Sequence, residues 1–394
     1  MNIFSFEKSK EVFQARFNCE PQYMISSPGR VELGGNHTDH QQGRVLAAAI
    51  DLDIKALVSK RDDYTVSIVS EGFGKIELSL DLIENYRNRQ TSQALTAGVA
   101  KAFLDNALKI GGFNAYLTST LPCGGGLSSS ASFEVLIGSI FNTLYNGSEV
   151  DAVKIAKFGQ YAENEFFGKP SGLMDQLACA VGGINAIDFE NIDEPKIEHI
   201  DFDFSKSGYS VYVISSGADH TDLTCEYASI TEDMAKISGY FGKKVLRQVS
   251  EDAFFASFIA LRDVAGDRAV MRAMHFYEEN ARVTKQADAL RRGEVEAFLS
   301  IANQSGRSSW MLLQNVMMGS KTSEGLAVTL AVCEKALEGI GLCRVHGGGF
   351  GGAALVIVPD EREEAFINKI ETVLGSSVAV KINIRNTGPE VGRL

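Results

Sequence analysis

Residues 121–132 read LPCGGGLSSSAS and run directly into the apolar stretch FEVLIGSIFNTLY. Three consecutive glycines followed by serines predict a tight turn at the start of a helix. Backbone N–H groups at a helix start are unpaired donors with a partial positive charge, and glycines let a bulky anion approach them closely. The stretch therefore favours a phosphate chain as ligand, although it lacks the GK[ST] ending of a P-loop. A flexible surface turn with a serine N-cap is the alternative.

Composition limits the classes of function. At 394 residues the chain is long for one core, so we expect two domains. With 38 basic and 50 acidic side chains the net charge is −12, and no Lys/Arg block is present, so nucleic acid is not an expected partner. No apolar run approaches the roughly 20 residues that span a bilayer, so no membrane association is expected. Six cysteines without a CxxC pair indicate a reducing, cytoplasmic setting.

The order of helical and strand-like segments predicts mixed α and β structure. Short β-branched stretches fill residues 24–80, and helical spacing of apolar residues starts at Thr91. A second helix is predicted to begin in the serine run and a third at Asp151, a good N-cap. The polar segment 191–208 places a domain boundary near residue 200, which gives domains 1–200 and 201–394. A strand, a helix and the strand SVAVKINI close the chain.

Two more motifs stand out. HGGGFGG at 346–352 matches G-x-G-x-x-G, but a strand rather than a helix follows it, so a dinucleotide site is not predicted. Its glycines are expected instead to allow a close approach of backbone to backbone or to a ligand. SPGRVELGGNHTDHQQG at 27–43 collects acidic and basic groups in a segment with too many glycines for a helix. Taken alone it would be an ordinary polar loop.

Together, these stretches resemble galactokinase and the wider family of small-molecule kinases that includes homoserine, mevalonate and phosphomevalonate kinases. GRVELGGNHTDHQQGRVLAAAID resembles the galactokinase signature, LPCGGGLSSSAS the ATP loop and HGGGFGGAALVIV the third motif. AENEFFGKPSGLMDQLACAVGG, CEYASI and RAMHFYEEN extend the resemblance in the same order. It implies an α+β fold of two domains with mixed β-sheets flanked by helices and the active site in the interdomain cleft, with the last strand possibly on the first domain.

The same resemblance implies an ATP-dependent sugar 1-kinase that converts galactose to galactose 1-phosphate and ADP. Asp175 matches the aspartate at the reacting hydroxyl, and Arg30 the arginine that keeps it ionised and offsets phosphoryl charge. Glu163 and Ser130 match the ligands of Mg²⁺, although which of the neighbouring serines contacts the metal stays open. The ATP-binding residues implied are Gly124, Gly125, Gly126, Leu127, Ser128, Ser129, Ser130 and Ala131.

The sugar site departs from the family pattern. His37, Asp39 and Tyr227 match residues that hold sugar hydroxyls, but Asn36 replaces a glutamate that contacts the O6 hydroxyl, and Glu32 replaces an asparagine. An amide can still bind a hydroxyl, so galactose remains the first substrate and Asn36 a candidate ligand. Loss of a carboxylate could instead admit galacturonic acid, because two carboxylates about 4 Å apart repel by about 4 kcal/mol at an effective dielectric near 20.

Two other functions fit the sequence less well. A non-catalytic sugar and ATP sensor is disfavoured because Asp175, Arg30 and the serine loop are all present. Homoserine or mevalonate as acceptor is disfavoured because GRVELGGNHTDH resembles the sugar-specific part of the family. The expected partners are therefore MgATP and a galactose-like sugar; the oligomeric state stays open, with a monomer favoured.

Overall fold

A computed structural model describes residues 5–122, 125–217, 224–319 and 323–394. The strands lie in two sheets, of eight and four strands. The helices are α1 (Phe6–Phe17), α2 (Ser92–Asp105), α3 (Ser129–Tyr145), α4 (Ala152–Tyr161), α5 (Met174–Val181), α6 (Thr224–Tyr240), α7 (Glu251–Ala256), α8 (Phe258–Ala265), α9 (Asp267–Arg291), α10 (Val295–Ser308), α11 (Gly325–Leu337) and α12 (Glu363–Leu374). The strands are β1 (Tyr23–Gly34), β2 (Arg44–Lys60), β3 (Thr65–Ser70), β4 (Lys75–Ser79), β5 (Phe113–Ser119), β6 (Ile184–Asp188), β7 (Lys196–Ile200), β8 (Tyr209–Ser215), β9 (Leu342–His346), β10 (Ala353–Pro359), β11 (Ala379–Ile382) and β12 (Glu390–Arg393).

The larger sheet has the order β12-β1-β2-β5-β3-β4, and β6 pairs with both β2 and β7. Its β3 and β5 are parallel, and the other pairs are antiparallel. The smaller sheet has the antiparallel order β11-β8-β10-β9. One mixed and one antiparallel sheet, flanked by helices, confirm the expected α+β fold class. Within it, SVAVKINI contributes β11 to the smaller sheet, and β12 returns to pair with β1.

Two of the predicted helices begin at residues whose side chains cap them. The Thr91 hydroxyl accepts a hydrogen bond from the Ala94 N–H at the start of α2, and the Asp151 carboxylate does the same for Lys154 at the start of α4. A π-helical turn at Ala162–Phe167 continues α4 as far as Gly168. Helix α3 starts inside the serine run, as predicted. The division near residue 200 stays a prediction.

The sequence predicts strands over YMISSPGRVEL and KALVSK; β1 agrees with the first within one residue, whereas β2 begins eleven residues before the second. β1 is buried continuously from Ile25 to Gly34, and β2 over most of its length. Because both faces of these central strands are covered, their side chains do not alternate between apolar and polar, and that alternation is the signal that marks strand ends in sequence. As part of the predicted strand β1, Arg30 and Glu32 are carried into the interior.

The helical layer over the larger sheet fixes the position of the glycine loop. Phe103 of α2 packs against Phe141 of α3 and Phe158 of α4, with ring centroids 5.6 and 4.9 Å apart, and Phe113 of β5 packs edge-on against Phe141. Burial of each such ring contributes about 2 to 3 kcal/mol. Helix α3 is therefore held firmly in the layer over the larger sheet. No helix in the described part of the chain is long and apolar enough to cross a membrane.

Candidate functional site

The glycine loop ends in an unusual helix start. Ser128, the N-cap of α3, has φ 55°, a left-handed conformation that costs a non-glycine residue about 1 kcal/mol or more. Its hydroxyl makes no cap hydrogen bond within the described residues and donates instead to the carboxylate of Asp175. The serine N-cap of the alternative interpretation is therefore wrong. Backbone N–H groups in the first turn of α3 stay available to an anion.

Arg30 and Asp175 form the best-defined ion pair of the site. The Arg30 Nε and Nη2 atoms donate to the two Asp175 oxygens, each at 2.7 Å, and Nη1 donates to the Gly126 carbonyl at 2.6 Å. Burial works against ionisation of Asp175, but the charge and hydrogen bonds of Arg30, with the Ser128 hydroxyl, hold the pKa of Asp175 below its usual range. The pair thus links β1, the glycine loop and α5.

A second cluster lies at the same helix end. Glu163, on the π-helical turn, is buried, and its Oε1 lies 3.4 Å from Ser130 Oγ and 2.8 Å from Lys169 Nζ. Gln176 Nε2 donates to Glu163 Oε2 and to Glu134 Oε2, both at 2.9 Å. Burial, together with the charge of Glu163, raises the pKa of Glu134 well above its usual range.

One carboxylate oxygen next to one hydroxyl is a donor set that suits Mg²⁺, which takes oxygen ligands and completes its shell with phosphate oxygens and water. Glu163 and Ser130 have this arrangement, and both oxygens lie beside the start of α3. Among the described residues no group of three or more His, Cys, Asp or Glu side chains could hold an ion by itself. The residues fit a metal that arrives with a phosphate chain rather than a preformed metal cage.

The signature segment gathers polar side chains beside the third glycine stretch. His37 has φ 56°, its Nε2 lies 2.9 Å from the Gly348 carbonyl, and its Nδ1 lies 3.3 Å from His40 Nε2. Because a carbonyl only accepts, His37 carries its proton on Nε2 and His40 donates to Nδ1. Burial lowers the pKa of His37 to about 4 and that of His40 to about 3, so both rings are neutral near pH 7.

Asp39 and Tyr227 flank His37. Tyr227 stacks on His37 with ring centroids 6.5 Å apart and donates from its hydroxyl to the Gly349 carbonyl at 3.2 Å. Asp39 accepts from the His40 N–H at 2.9 Å. Burial and the nearby charge of Asp175 raise the pKa of Asp39 to about 6. A carboxylate and an imidazole side by side can accept and donate hydrogen bonds to sugar hydroxyls.

The third glycine stretch forms the turn between β9 and β10 and packs against Tyr227 and Asn315. A Cβ on Gly348 would lie 2.4 Å from the Tyr227 ring, and one on Gly349 would lie 2.1 Å from the Asn315 carbonyl oxygen. This confirms that the glycines serve close approach of the backbone to its neighbours.

Asn36 lies in a buried hydrogen-bond network. It is 1 % exposed, and its Nδ2 donates to the Gly347 carbonyl at 2.6 Å and to both oxygens of Glu32 at 3.1 and 3.2 Å. Its Oδ1 accepts from Asn315 Nδ2 at 2.8 Å and Ser309 Oγ at 3.3 Å. Every polar atom of the amide is therefore used inside the protein.

Glu32 is the charged centre of this buried network. It is 1 % exposed and forms an ion pair with Arg344 of β9, itself 1 % exposed. Burial raises the pKa of Glu32, and the charges of Arg344 and Arg30 counteract that shift. The carboxylate and amide at positions 32 and 36 thus contact each other in the interior.

The structure brings most of the predicted residues together. Arg30, Asp175 and Ser128 are in contact, Ser130 faces Glu163, and His37 stacks on Tyr227. In the loop, the side chains of Leu127 and Ala131 are buried and Ser129 is exposed. The Gly126 carbonyl accepts the hydrogen bond from Arg30, and Gly125 directly precedes it. Gly124 lies outside the described residues.

Sequence reasoning missed several polar residues of the site. Gln176 directly follows Asp175, Lys169 lies six residues before it, and Glu134 is one helical turn after Ser130. Gln176 and Lys169 lie inside the segment whose resemblance supplied Asp175. The sequence signal for these residues was a charged or amide side chain near a predicted catalytic residue. Their contact partners in the fold could not be predicted from the sequence.

Comparisons with known proteins agree with this geometry. Residues 11–60 match the model described as the galactokinase galactose-binding signature, and residues 94–183 match the GHMP kinases N terminal domain. A Lactococcus lactis galactokinase, crystallised with galactose, superimposes with a TM-score of 0.82 at 25% identity, covering 98% of this chain and 99% of that one.

More distant structures share the fold. A Methanococcus jannaschii mevalonate kinase has a TM-score of 0.65 at 17% identity, covering 92% of this chain and 98% of that chain. A Streptococcus pneumoniae phosphomevalonate kinase, crystallised with phosphomevalonate and AMPPNP, has a TM-score of 0.62 at 13% identity, covering 94% and 99%. At these identities the likeness concerns the fold alone.

Proposed function

Because this chain is a galactokinase-type member of the GHMP kinases, a phosphotransferase that acts on a sugar hydroxyl, we propose that it transfers the γ-phosphoryl group of ATP to the anomeric hydroxyl of galactose. The products are galactose 1-phosphate and ADP. The observation that carries the proposal is the two-point ion pair of Arg30 with Asp175, which lies between the start of α3 and the signature segment.

Asp175 has the properties needed at the acceptor hydroxyl. Its pKa lies below the usual range, so it is ionised at neutral pH and can accept a hydrogen bond from the sugar. Such a carboxylate is a weak base, but in a loose phosphoryl-transfer transition state the nucleophile keeps its proton until late. Asp175 therefore orients the hydroxyl and receives its proton as the new P–O bond forms.

Arg30 and the helix start supply positive charge on the phosphoryl side. Three of the five guanidinium N–H groups are used by Asp175 and Gly126, which leaves two for a phosphate oxygen. The uncapped N–H groups of α3 add donors at the same place. When bound with the nucleotide, Mg²⁺ would be held by Glu163 and Ser130 and would neutralise phosphate charge.

His37, Asp39 and Tyr227 are proposed to hold the sugar. Asn36 is not included, because its amide is fully hydrogen-bonded in the interior. The argument for galacturonate depended on an Asn36 side chain that faces the substrate, and the internal hydrogen bonds of that side chain do not support it. Galactose is therefore the substrate we favour.

The test is ADP release by the purified protein with MgATP and, separately, galactose, galacturonic acid, glucose, arabinose, homoserine and mevalonate. Turnover with galactose and a ³¹P signal from an anomeric phosphate are expected. Efficient turnover with galacturonate alone would instead establish the sugar acid as substrate. Binding of galactose and ATP without any ADP would indicate a sensor and refute the enzymatic proposal.

A further inference from the structure

Only one oxygen of the Glu163 carboxylate is open to exchange of partners. Its Oε2 accepts from Gln176 Nε2 at 2.9 Å, and Gln176 is 0 % exposed and also bonded to Glu134, so this contact is fixed. Its Oε1 faces Ser130 Oγ at 3.4 Å and Lys169 Nζ at 2.8 Å. A metal ligated by Glu163 and Ser130 would therefore need the same oxygen that Lys169 now holds.

The Lys169 side chain can exchange partners while its backbone stays in place. Its backbone N–H donates to the Glu163 carbonyl at 3.0 Å, which anchors the residue, while its side chain is 49 % exposed. A lysine ammonium is a compact charge on a flexible four-carbon chain, so it can leave one acceptor and reach another without backbone movement. By contrast, Arg30 is 5 % exposed and held at three points.

Each of the two cations at this site has its own carboxylate partner. Arg30 pairs with Asp175, and Lys169 pairs with Glu163. A divalent metal at Glu163 would replace the ammonium as its counter-charge. The released ammonium would then lie beside a metal–nucleotide complex that is still anionic, and this complex offers it new acceptors.

We infer that Lys169 is an internal counter-ion of Glu163 that competes with the divalent metal for one carboxylate oxygen and is released towards the phosphates when the metal–nucleotide complex binds. This inference rests on the proposed function, because it takes the Glu163–Ser130 position as the metal site. It assigns to Lys169 a role in setting metal affinity.

The experiment measures Mn²⁺ binding to the full chain in the presence of AMPPNP, with free Mn²⁺ detected by electron paramagnetic resonance. Lys169→Met removes the competing charge and should tighten Mn²⁺ binding about fivefold, the range of a half-exposed ion pair. Lys169→Arg keeps the charge and should bind within about twofold of the wild type. Lys169→Gln should shift binding in the same direction as Lys169→Met.

Lys236 offers a matched control. It is 53 % exposed and pairs with the buried Asp233 at 2.9 Å, in a helix of the other half of the chain. Lys236→Met should leave Mn²⁺ binding unchanged. Unchanged or weaker binding in Lys169→Met would overturn the inference while leaving the proposed function intact. No Mn²⁺ binding by the wild type would overturn both, and normal binding without phosphoryl transfer would refute only the proposed reaction.

Discussion

Asn36→Glu tests whether position 36 belongs to the interior or to the sugar pocket. The substitution places a second carboxylate where Asn36 now donates to Glu32 at 3.1 and 3.2 Å and to the Gly347 carbonyl at 2.6 Å. With 1 % exposure at both positions, the two carboxylates would have little solvent to screen them. The cations that act on Glu32, Arg344 and Arg30, would then face an additional acid.

The expected cost follows from the contact distance. Two like charges about 3 to 4 Å apart repel by about 4 to 5 kcal/mol at an effective dielectric near 20. Proton uptake limits the penalty, because 4 kcal/mol corresponds to a pKa rise of about 3 units in one of the acids. A carboxyl whose folded pKa is raised destabilises the protein above that pKa, and the cost disappears as pH falls below its unfolded value. Asn36→Glu should therefore be least stable at alkaline pH and recover on acidification.

The assay is urea unfolding followed by the fluorescence of Trp310, the sole tryptophan of the sequence, which follows the Asn36 partner Ser309. Asn36→Gln has the same length as glutamate without its charge and is the control. The exchange Glu32→Asn with Asn36→Glu restores one carboxylate per network, so it should recover about 2 kcal/mol or more over additivity. Equal stability of the Glu and Gln variants, or no recovery in the exchange, would refute the buried contact.

Three further outcomes are expected. Asp175→Asn should lower kcat about 10²- to 10⁴-fold while galactose binding persists, measured by coupled ADP release and calorimetry; wild-type turnover would remove Asp175 from the mechanism. Ser128→Ala removes one hydrogen bond to a charged group, about 1.5 kcal/mol, and should reduce kcat about tenfold; an unchanged rate would show that this hydroxyl does not support Asp175. Because the pKa of Asp39 is raised to about 6, its accepting form is lost as pH falls, so KM for the sugar should rise about tenfold per unit below pH 6. Asp39→Asn should flatten that profile, and a profile that is flat in the wild type would contradict the assignment.

Much of the fold could be predicted from local signals. Helices α2, α3 and α4 follow from apolar spacing and from caps such as Thr91 and Asp151, since these signals lie within a few residues of the element they define. The start of β2 could not, because a strand covered on both faces shows an apolar run without period.

The site was predictable only through resemblance. Arg30 and Asp175 are 145 residues apart in sequence, and no local pattern in either segment indicates that they form a two-point ion pair. Resemblance supplied the residue types but not the direction of their side chains. Asn36 shows the difference: the motif suggests a pocket residue, and the structure turns its amide into the interior.

An acidic chain can bind a phosphate ligand, because the charges close to the binding site determine the local electrostatic potential. The net charge is −12, but at the start of α3 the cations Arg30 and Lys169 each carry their own carboxylate partner. An anion entering there meets a nearly neutral surface with oriented N–H donors rather than a net negative field. Distant acidic side chains contribute little, since solvent ions screen exposed charges beyond about 10 Å. Affinity for nucleotide should therefore depend on these few residues and on the metal, and not on the overall charge.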